Sequence, residues 1–307
     1  MTRRAALFVA VLTAMSLAAP WLAPYPAGQD FRDFLHAPPM RPHLDGLALA
    51  VHPLVLADRL DQRFEADSTR SVPLPWFGGA VDQPVFLLGA DNFGRDVLSR
   101  LLYGARTSVG LALFATLGAV VIGALAGAWA GLHGGWIDET IMRVADFVLI
   151  LPVIYVVLVL RAVLPLVLPA STVFILIAGI FVAVGWPFVA KGVRAIVADE
   201  RDREYVQAAR SLGAGQGRIL LHHLIPACAG HLIVQATLLL PGFILAEATL
   251  SFVGLGFPDP VASWGTMLAE AGNYNAVARF PWTLAPAVAI FAIVLATNLV
   301  AAPGRES

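Results

Sequence analysis

The chain has 307 residues, of which 58 % are hydrophobic and only 13 % are charged. Soluble domains carry about 25 % charged residues, so this composition excludes an ordinary soluble domain. The net charge of −1 gives no reason to expect a polyanion such as nucleic acid as a partner. Several apolar runs approach the ~20 residues that cross a bilayer as a helix. Segments of alternating polarity, typical of membrane β-barrels, are not evident. We therefore predict an all-α, multi-pass membrane protein.

Cysteine and lysine usage limits the chemistry of the chain. Its single cysteine, Cys228, excludes an internal disulfide and a multi-cysteine metal site. Its single lysine, Lys191, lies between Ala190 and Gly192. A phosphate-binding loop of the form G-x-x-x-x-G-K-[ST] needs a glycine before the lysine and a hydroxyl after it. We therefore expect no ATP site, no cofactor and no enzymatic activity in this chain.

The first 24 residues open with two arginines and continue with about twenty apolar residues. They form either a cleaved signal peptide or a first spanning helix whose N-terminus is cytoplasmic. The apolar run is longer than most signal-peptide cores, which favours the retained helix. Residues 25–106 are rich in arginine and proline, and this predicts an extramembrane segment with short strands. Val97, Leu101 and Leu102 predict an amphipathic interfacial helix at the end of this segment.

Five further spans are expected between residues 107 and 302, followed by a tail at residues 303–307. In chain order these spans cover about 109–132, 147–168, 172–190, 232–255 and 281–302. Residues 133–146 are expected to form a short polar hinge. Gly123, Gly127 and Gly131 lie four residues apart in the second span. This spacing lets another helix approach closely, either within the chain or from a partner subunit.

The distribution of basic residues predicts the orientation in the membrane. Cytoplasmic loops carry an excess of lysine and arginine. The region between the fourth and fifth spans has six such residues: Lys191, Arg194, Arg201, Arg203, Arg210 and Arg218. The loop between the fifth and sixth spans has only Arg279. We therefore expect the loop at residues 199–226 and both termini to be cytoplasmic, and residues 25–106 to be periplasmic.

The cytoplasmic loop contains the segment EYVQAARSLGAGQGRILLHHLIP, residues 204–226. The i, i+3, i+4, i+7 spacing predicts one apolar face of a short helix, formed by Tyr205, Ala208, Ala209 and Leu212. Gly213 is expected to end this helix in the left-handed conformation. A second short helix follows, and Pro226 is expected to turn the chain toward the membrane. We interpret the segment as a docking element for a cytoplasmic partner.

This segment resembles the EAA loop of permease subunits in binding-protein-dependent ABC importers. That motif reads Glu-Ala-Ala, three residues, Gly, nine residues, Ile-x-Leu-Pro. The matching positions are Ala208, Ala209, Gly213 and Pro226, and the departing positions are Gln207, His223 and Ile225. Two further motifs, LGADNFGRDVLSRLLYGARTS and LAEATLSFVGLGFPDPVASWGTML, resemble the dipeptide, oligopeptide and nickel branch of the family, as does the segment itself. The general plan resembles the second, C-type permease subunit of these systems.

The resemblance implies a type I ABC importer permease fold with six transmembrane helices in the bacterial cytoplasmic (inner) membrane. It implies ATP-driven uptake of peptides or similar small solutes. The implied partners are a paralogous permease subunit, two cytoplasmic ATPase subunits that bind ATP and Mg²⁺, and a periplasmic or lipid-anchored substrate-binding protein. The residues implied in ATPase coupling are Tyr205, Gln207, Ala208, Ala209, Leu212, Gly213 and Pro226. Alternative functions are an ATP-independent secondary transporter, for which no convincing repeat is present, and a non-transporting membrane assembly protein.

Other polar residues leave several roles open. Glu247 lies within the fifth span, where a carboxylate is by default a hypothesis for function. It could line the substrate path or a gate, stabilise the structure, or relay protons. The histidines and the cysteine at positions 222, 223, 228 and 231 are interpreted as surface and packing residues. Four charged residues before the third span are expected to form local helix ion pairs or a second ATPase contact: Asp138, Glu139, Arg143 and Asp146.

Overall fold

The computed structural model describes residues 7, 10–11, 14, 17–45, 48–58, 62–74, 83–152, 155–159, 168–272 and 274–301. The chain divides into two compact units. Unit 1 comprises residues 1–7, 111–244 and 295–307, and unit 2 comprises residues 8–110 and 245–294.

The described elements are five short strands followed by helices. The strands are β1 (His43–Asp45), β2 (Ala48–Val51), β3 (Leu54–Asp58), β4 (Arg63–Ala66) and β5 (Val72–Pro73). The α-helices are α1 (Val97–His133), α2 (Gly135–Ile150), α3 (Ala170–Glu200), α4 (Glu204–Ser211), α5 (Gln216–Ile219), α6 (Ile225–Ala227), α7 (Ala229–Phe252), α8 (Trp264–Glu270), α9 (Tyr274–Arg279) and α10 (Ala285–Ala301). A π-helical turn covers Leu220–Leu224, and a 3-10 turn covers Pro281–Leu284. Residues 17–22 and 155–159 are also helical.

The segment after residue 24 forms short strands, as expected from its sequence. Strands β1, β2 and β5 form one antiparallel sheet, and β3 pairs with β4 in a hairpin. Their apolar core includes Tyr25, Phe31 and Phe86. The backbone N–H of Tyr25 donates to Ser99 Oγ at 3.0 Å, and the Tyr25 hydroxyl accepts from the Val85 N–H at 2.8 Å. The first of these bonds connects this apolar core to the first turn of α1.

Four described helices are long and apolar enough to cross a membrane: Val97–His133, Ala170–Glu200, Ala229–Phe252 and Pro281–Leu299. They correspond to the second, fourth, fifth and sixth predicted spans. Parts of the first and third predicted spans and the tail at 303–307 lie outside the described residues. The total of six spans therefore stays a prediction.

Helix α1 differs from the expectation of a separate interfacial helix before the second span. It runs without a break from Val97, because Asp96 caps its first turn by accepting hydrogen bonds from the N–H and hydroxyl of Ser99 at 2.8 and 2.6 Å. Arg100, a polar residue of the predicted amphipathic helix, is only 1 % exposed. Its guanidinium bonds carboxylates of the protein instead of facing water.

The region expected to be a polar hinge is mostly helical. Only Gly134, with a φ of 66°, separates α1 from α2. Helix α2 ends at Ile150, and Leu151 is extended, with a ψ of 117°. A residue before proline is disfavoured in the helical conformation, so Pro152 explains this end.

The glycines of α1 pack against α3 within the chain, which decides between the two alternatives left open by their spacing. A Cβ atom at Gly127 would lie 2.3 Å from the carbonyl oxygen of Ala190. At Gly123 and Gly131 an added Cβ would also meet carbonyl oxygens of α3. The two backbones approach too closely for any larger residue at these positions.

Candidate functional site

The segment at residues 204–226 begins with helix α4, which ends as the sequence predicts. Gly213 has a φ of 83°, and its N–H donates to the Arg210 carbonyl at 2.9 Å. The Ala214 N–H donates to the Ala209 carbonyl at 3.0 Å. These two bonds form a Schellman motif. The motif requires one residue in the left-handed conformation, and glycine adopts that conformation with the least strain.

The second half of the segment differs at Pro226. The chain does not turn there, because helical structure continues through α5, the π-helical turn and α6 to α7. The Ile225 N–H donates to Leu220 O, five residues back. Proline lacks an N–H, and its ring clashes with the carbonyl four residues earlier. The wider π turn directly before Pro226 is consistent with this steric requirement.

One side of α4 packs into the apolar core of unit 1, the unit to which the segment belongs. Val206 is fully buried in a cluster with Leu132 of α1 and Val193 and Val197 of α3. Ile219, Leu224 and Cys228 belong to the same cluster. Sequence reasoning missed Val206, although its position three residues before Ala209 is the signal of an inward face.

The opposite side of α4 is exposed and partly apolar. Leu212 is 89 % exposed and Tyr205 is 45 % exposed, and Ala208 is also exposed. Ala209 is half-buried against the cluster that holds Val206. The four residues predicted to share one face are therefore divided, since only Ala209 contacts the protein interior.

Polar bonds fix the junction between α3 and α4. The Tyr205 hydroxyl donates to Glu200 Oε2 at 2.6 Å, and this bond raises the pKa of Tyr205. Gln207 Nε2 donates to the Asp202 carbonyl at 3.1 Å. Gln207 thus has a local partner that a glutamate could not bond in the same way, since a carboxylate has no N–H.

Charged side chains connect α2 and α3. Arg194 Nε donates to Asp138 Oδ1 at 2.9 Å, and this hydrogen bond lowers the pKa of Asp138. Lys191 pairs with Asp146. The expected local pairing within α2 is confirmed for Glu139 and Arg143 only. These contacts lie in unit 1 and hold α2 against the C-terminal half of α3. The basic residues there predict that this half is cytoplasmic.

Glu247 of α7 is fully buried in unit 2. Ser108 Oγ donates to Oε2 and Ser251 Oγ donates to Oε1, each at 2.7 Å. Ser108 Oγ also accepts from the Trp264 N–H at 3.0 Å. Glu247 therefore joins α1, α7 and the start of α8 through hydroxyl groups.

A second buried polar cluster in unit 2 was missed by sequence reasoning. Arg95 donates to Asp91 at 2.8 Å, to Asp259 at 2.8 Å and to Glu270 at 2.9 Å. Arg100 pairs with Asp91 and Glu270. The only sequence signal was the charged spacing within GADNFGRDVLSR, because the acidic partners 259 and 270 are remote in the chain.

The histidines and the cysteine of the candidate site do not converge. His222 is exposed and His223 is half-buried, while Cys228 is buried. Burial raises the pKa of the Cys228 thiol to about 11. A thiol with this pKa stays neutral at physiological pH, in agreement with a packing role.

Residues 92–302 match the family model described as binding-protein-dependent transport system inner membrane component. The chain belongs to this family. The permease is 35 % identical over 95 % of its length to the di/tripeptide transport system permease protein DppC of Pseudomonas aeruginosa, covering 82 % of that protein. It is 37 % identical over 69 % of its length to the dipeptide transport system permease protein DppC of Alkalihalophilus pseudofirmus, covering 67 % of that protein.

A solved structure of the MetNI methionine ABC transporter in inward-facing conformations is 17 % identical, with a TM-score of 0.48, and the alignment covers 66 % of this chain and 95 % of that chain. Family membership makes the chain a permease subunit of a binding-protein-dependent importer. This conclusion replaces the alternatives of a secondary transporter and a membrane assembly protein.

Proposed function

We propose that the permease takes part in ATP-driven uptake of peptides or similar small solutes. The peptide transport named for two relatives supports this substrate class. The proposed complex contains a paralogous permease subunit, two ATPase subunits and a periplasmic or lipid-anchored substrate-binding protein. ATP and Mg²⁺ bind the ATPase subunits, because the permease sequence has no phosphate-binding loop.

The proposed topology has six spans and a type I permease fold in the bacterial cytoplasmic membrane. The basic residues around the loop at 199–226 support a cytoplasmic position for that loop and for both termini. The small β-structure after residue 24 is then periplasmic. Membrane lipid surrounds the apolar helices.

Residues 204–226 are proposed to dock to an ATPase subunit. The single observation that carries this proposal is the division of α4 into a buried anchor at Val206 and an outer side with Leu212 89 % exposed. A segment held this way transmits a displacement of the partner to α1 and α3, since side chains of both helices pack around Val206. Closure of the ATPases would shift the permease between two states through differential contacts.

Glu247 is proposed to position helices rather than to bind substrate. Its full burial and its two hydroxyl donors support this role. A carboxylate that served as a gate or substrate contact would need access to the transport path, whereas both of its oxygens are already bonded to serines.

The proposed function is tested with the complete complex in proteoliposomes. We expect uptake of a labelled di- or tripeptide that requires ATP, the ATPase subunits and the binding protein. The control is the same complex with an ATPase subunit that binds ATP but cannot hydrolyse it. Uptake driven by an ion gradient without ATPase subunits would contradict the proposal, as would nucleotide binding by the isolated permease.

A further inference from the structure

The outer side of α4 carries different chemistry on its two flanks. Side chains on a helix are separated by about 100° per residue. Tyr205 and Leu212, seven residues apart, therefore lie on nearly the same flank. Arg210 lies about 160° around the helix from Leu212, on the flank shared with Gln207. Ala208 lies between these flanks on the exposed surface.

On the apolar flank, Tyr205 is partly covered by His223, whereas Leu212 is almost uncovered by the described residues. Leu212 is 89 % exposed, although it lies directly before the turn that Gly213 fixes. Such an exposed leucine at a rigid position can be buried by a partner with little ordering cost, because the turn already restrains it. Ala208 next to it lets a partner surface approach closely.

The polar flank carries an arginine, Arg210, that no acidic residue pairs with in the part of the chain that the structure describes. Arg203 bonds Asp199 at 2.7 Å and Arg201 lies 3.5 Å from Asp202. Arg210 is exposed and has no acidic partner among the described residues. The acidic residue of α4, Glu204, is about 9 Å away along the helix axis at 1.5 Å per residue. Positive charge therefore prevails at the C-terminal end of α4.

We propose that the ATPase groove receiving α4 has two unlike walls. One wall is apolar and covers Tyr205 and Leu212, and the other carries one or more carboxylates opposite Arg210. The floor of the groove lies close to Ala208. This inference rests on the proposed function, because it assigns the exposed side of α4 to the ATPase subunit.

The test uses the complete complex, purified through the permease at a series of NaCl concentrations. The variants are Leu212→Ser, Arg210→Glu and Ala208→Leu. Matched controls in the β-structure are Leu44→Ser, where the leucine is 75 % exposed, and Arg63→Glu, where the arginine side chain is 72 % exposed. The measured quantity is the apparent Kd of the ATPase subunits for the permease.

We expect Leu212→Ser to weaken ATPase binding about tenfold at every NaCl concentration, because burial of a leucine does not depend on salt screening. Arg210→Glu should weaken binding most at low salt, and its difference from wild type should shrink toward about 1 M NaCl, where the Debye length is about 3 Å. Ala208→Leu should weaken binding by obstructing the floor, and the two control variants should bind as wild type does.

Each wall can be refuted separately. Wild-type binding by Leu212→Ser would overturn the apolar wall, and wild-type or tighter binding by Arg210→Glu would overturn the acidic wall. Wild-type binding by Ala208→Leu would overturn the close floor. If the wild-type permease itself retained no ATPase subunit, the proposed function would fail, and this outcome is distinct from the other three.

Discussion

Charged residues play opposite parts in two regions of this permease. Around Arg95 and Arg100, in unit 2, the guanidinium groups are buried and bond two or three carboxylates each. In α4, in unit 1, Arg210 and Glu204 are exposed and unpaired among the described residues. Charged residues thus hold the conformation of unit 2, whereas on α4 they remain available to bond a partner.

The difference follows from the cost of burying charge. A buried charge is tolerated only when partners and hydrogen bonds satisfy it, so the loss of one partner is expensive. An exposed charge is hydrated, and its removal costs the fold little. We therefore expect substitutions in the buried cluster to change stability and substitutions on α4 to change assembly and coupling.

The largest expected effect is that of Arg100→Ala. It leaves Asp91 and Glu270 without one of their cationic partners, and breaking a buried ion pair costs about 3–5 kcal/mol. Thermal and denaturant unfolding in detergent should show this loss. The matched control is Arg143→Ala, whose exposed pair with Glu139 should be worth about 0.2–1 kcal/mol. Equal stability of the two variants would contradict the contrast between buried and exposed charges.

Asp96, next to Arg95 in the sequence, gives the stability of the protein an expected dependence on pH. Burial raises the pKa of Asp96 to about 6, whereas an unfolded aspartate has a pKa of about 3.9. Between these values the folded state binds more protons than the unfolded state. The contribution of Asp96 to stability is therefore fully present below pH ~4 and is lost as the pH rises through ~6.

The corresponding loss is about 3 kcal/mol between pH 4 and pH 7, at 1.36 kcal/mol per pKa unit. Asp96→Asn keeps an acceptor oxygen for Ser99 and cannot ionise, so it should lack this loss. The measurement is the free energy of unfolding of both proteins across this pH range. Parallel pH profiles would show that Asp96 keeps an ordinary pKa.

Features that depend on neighbouring residues could be predicted from the sequence, whereas features that depend on remote residues could not. The helix end at Gly213 depends on neighbours in sequence, and its prediction is confirmed. The spans near 172–190 and 281–302 followed from hydropathy, which integrates many residues. The buried roles of Arg95 and Arg100 depend on carboxylates more than 150 residues away, and no local pattern indicates such pairing. Residues 133–146 are polar and were therefore expected to form a hinge and local ion pairs, whereas they are mostly helical and Asp138 and Asp146 bond α3.

Glu247 is a third case of a buried charged residue type. Among the described residues, its hydrogen-bond donors are neutral hydroxyls. Glu247→Ala should leave the hydroxyls of Ser108 and Ser251 without their acceptor and cost about 2–3 kcal/mol. Glu247→Gln retains one acceptor oxygen and should cost about 1 kcal/mol. If the residue only positions helices, peptide uptake by the Gln variant should match its folded fraction. Loss of uptake in a fully folded Gln variant would instead favour a direct role in the transport path.

Gly213→Ala is expected to have a modest effect on stability and a large effect on coupling. No atom lies within 4 Å of a Cβ added at this position, so the cost is the left-handed backbone alone, about 1–2 kcal/mol. Gly217→Ala is the matched control, since its Cβ is equally unobstructed and its backbone needs no positive φ.

Distortion of the Schellman turn should move Leu212 and reduce peptide-stimulated ATP hydrolysis in the complete complex, while the control keeps wild-type hydrolysis. Both variants should insert and accumulate normally, because both glycines are exposed and lie outside the spans. If both variants hydrolyse ATP at the wild-type rate with peptide and binding protein present, α4 does not transmit the motion, and its exposed side serves at most to hold the partner.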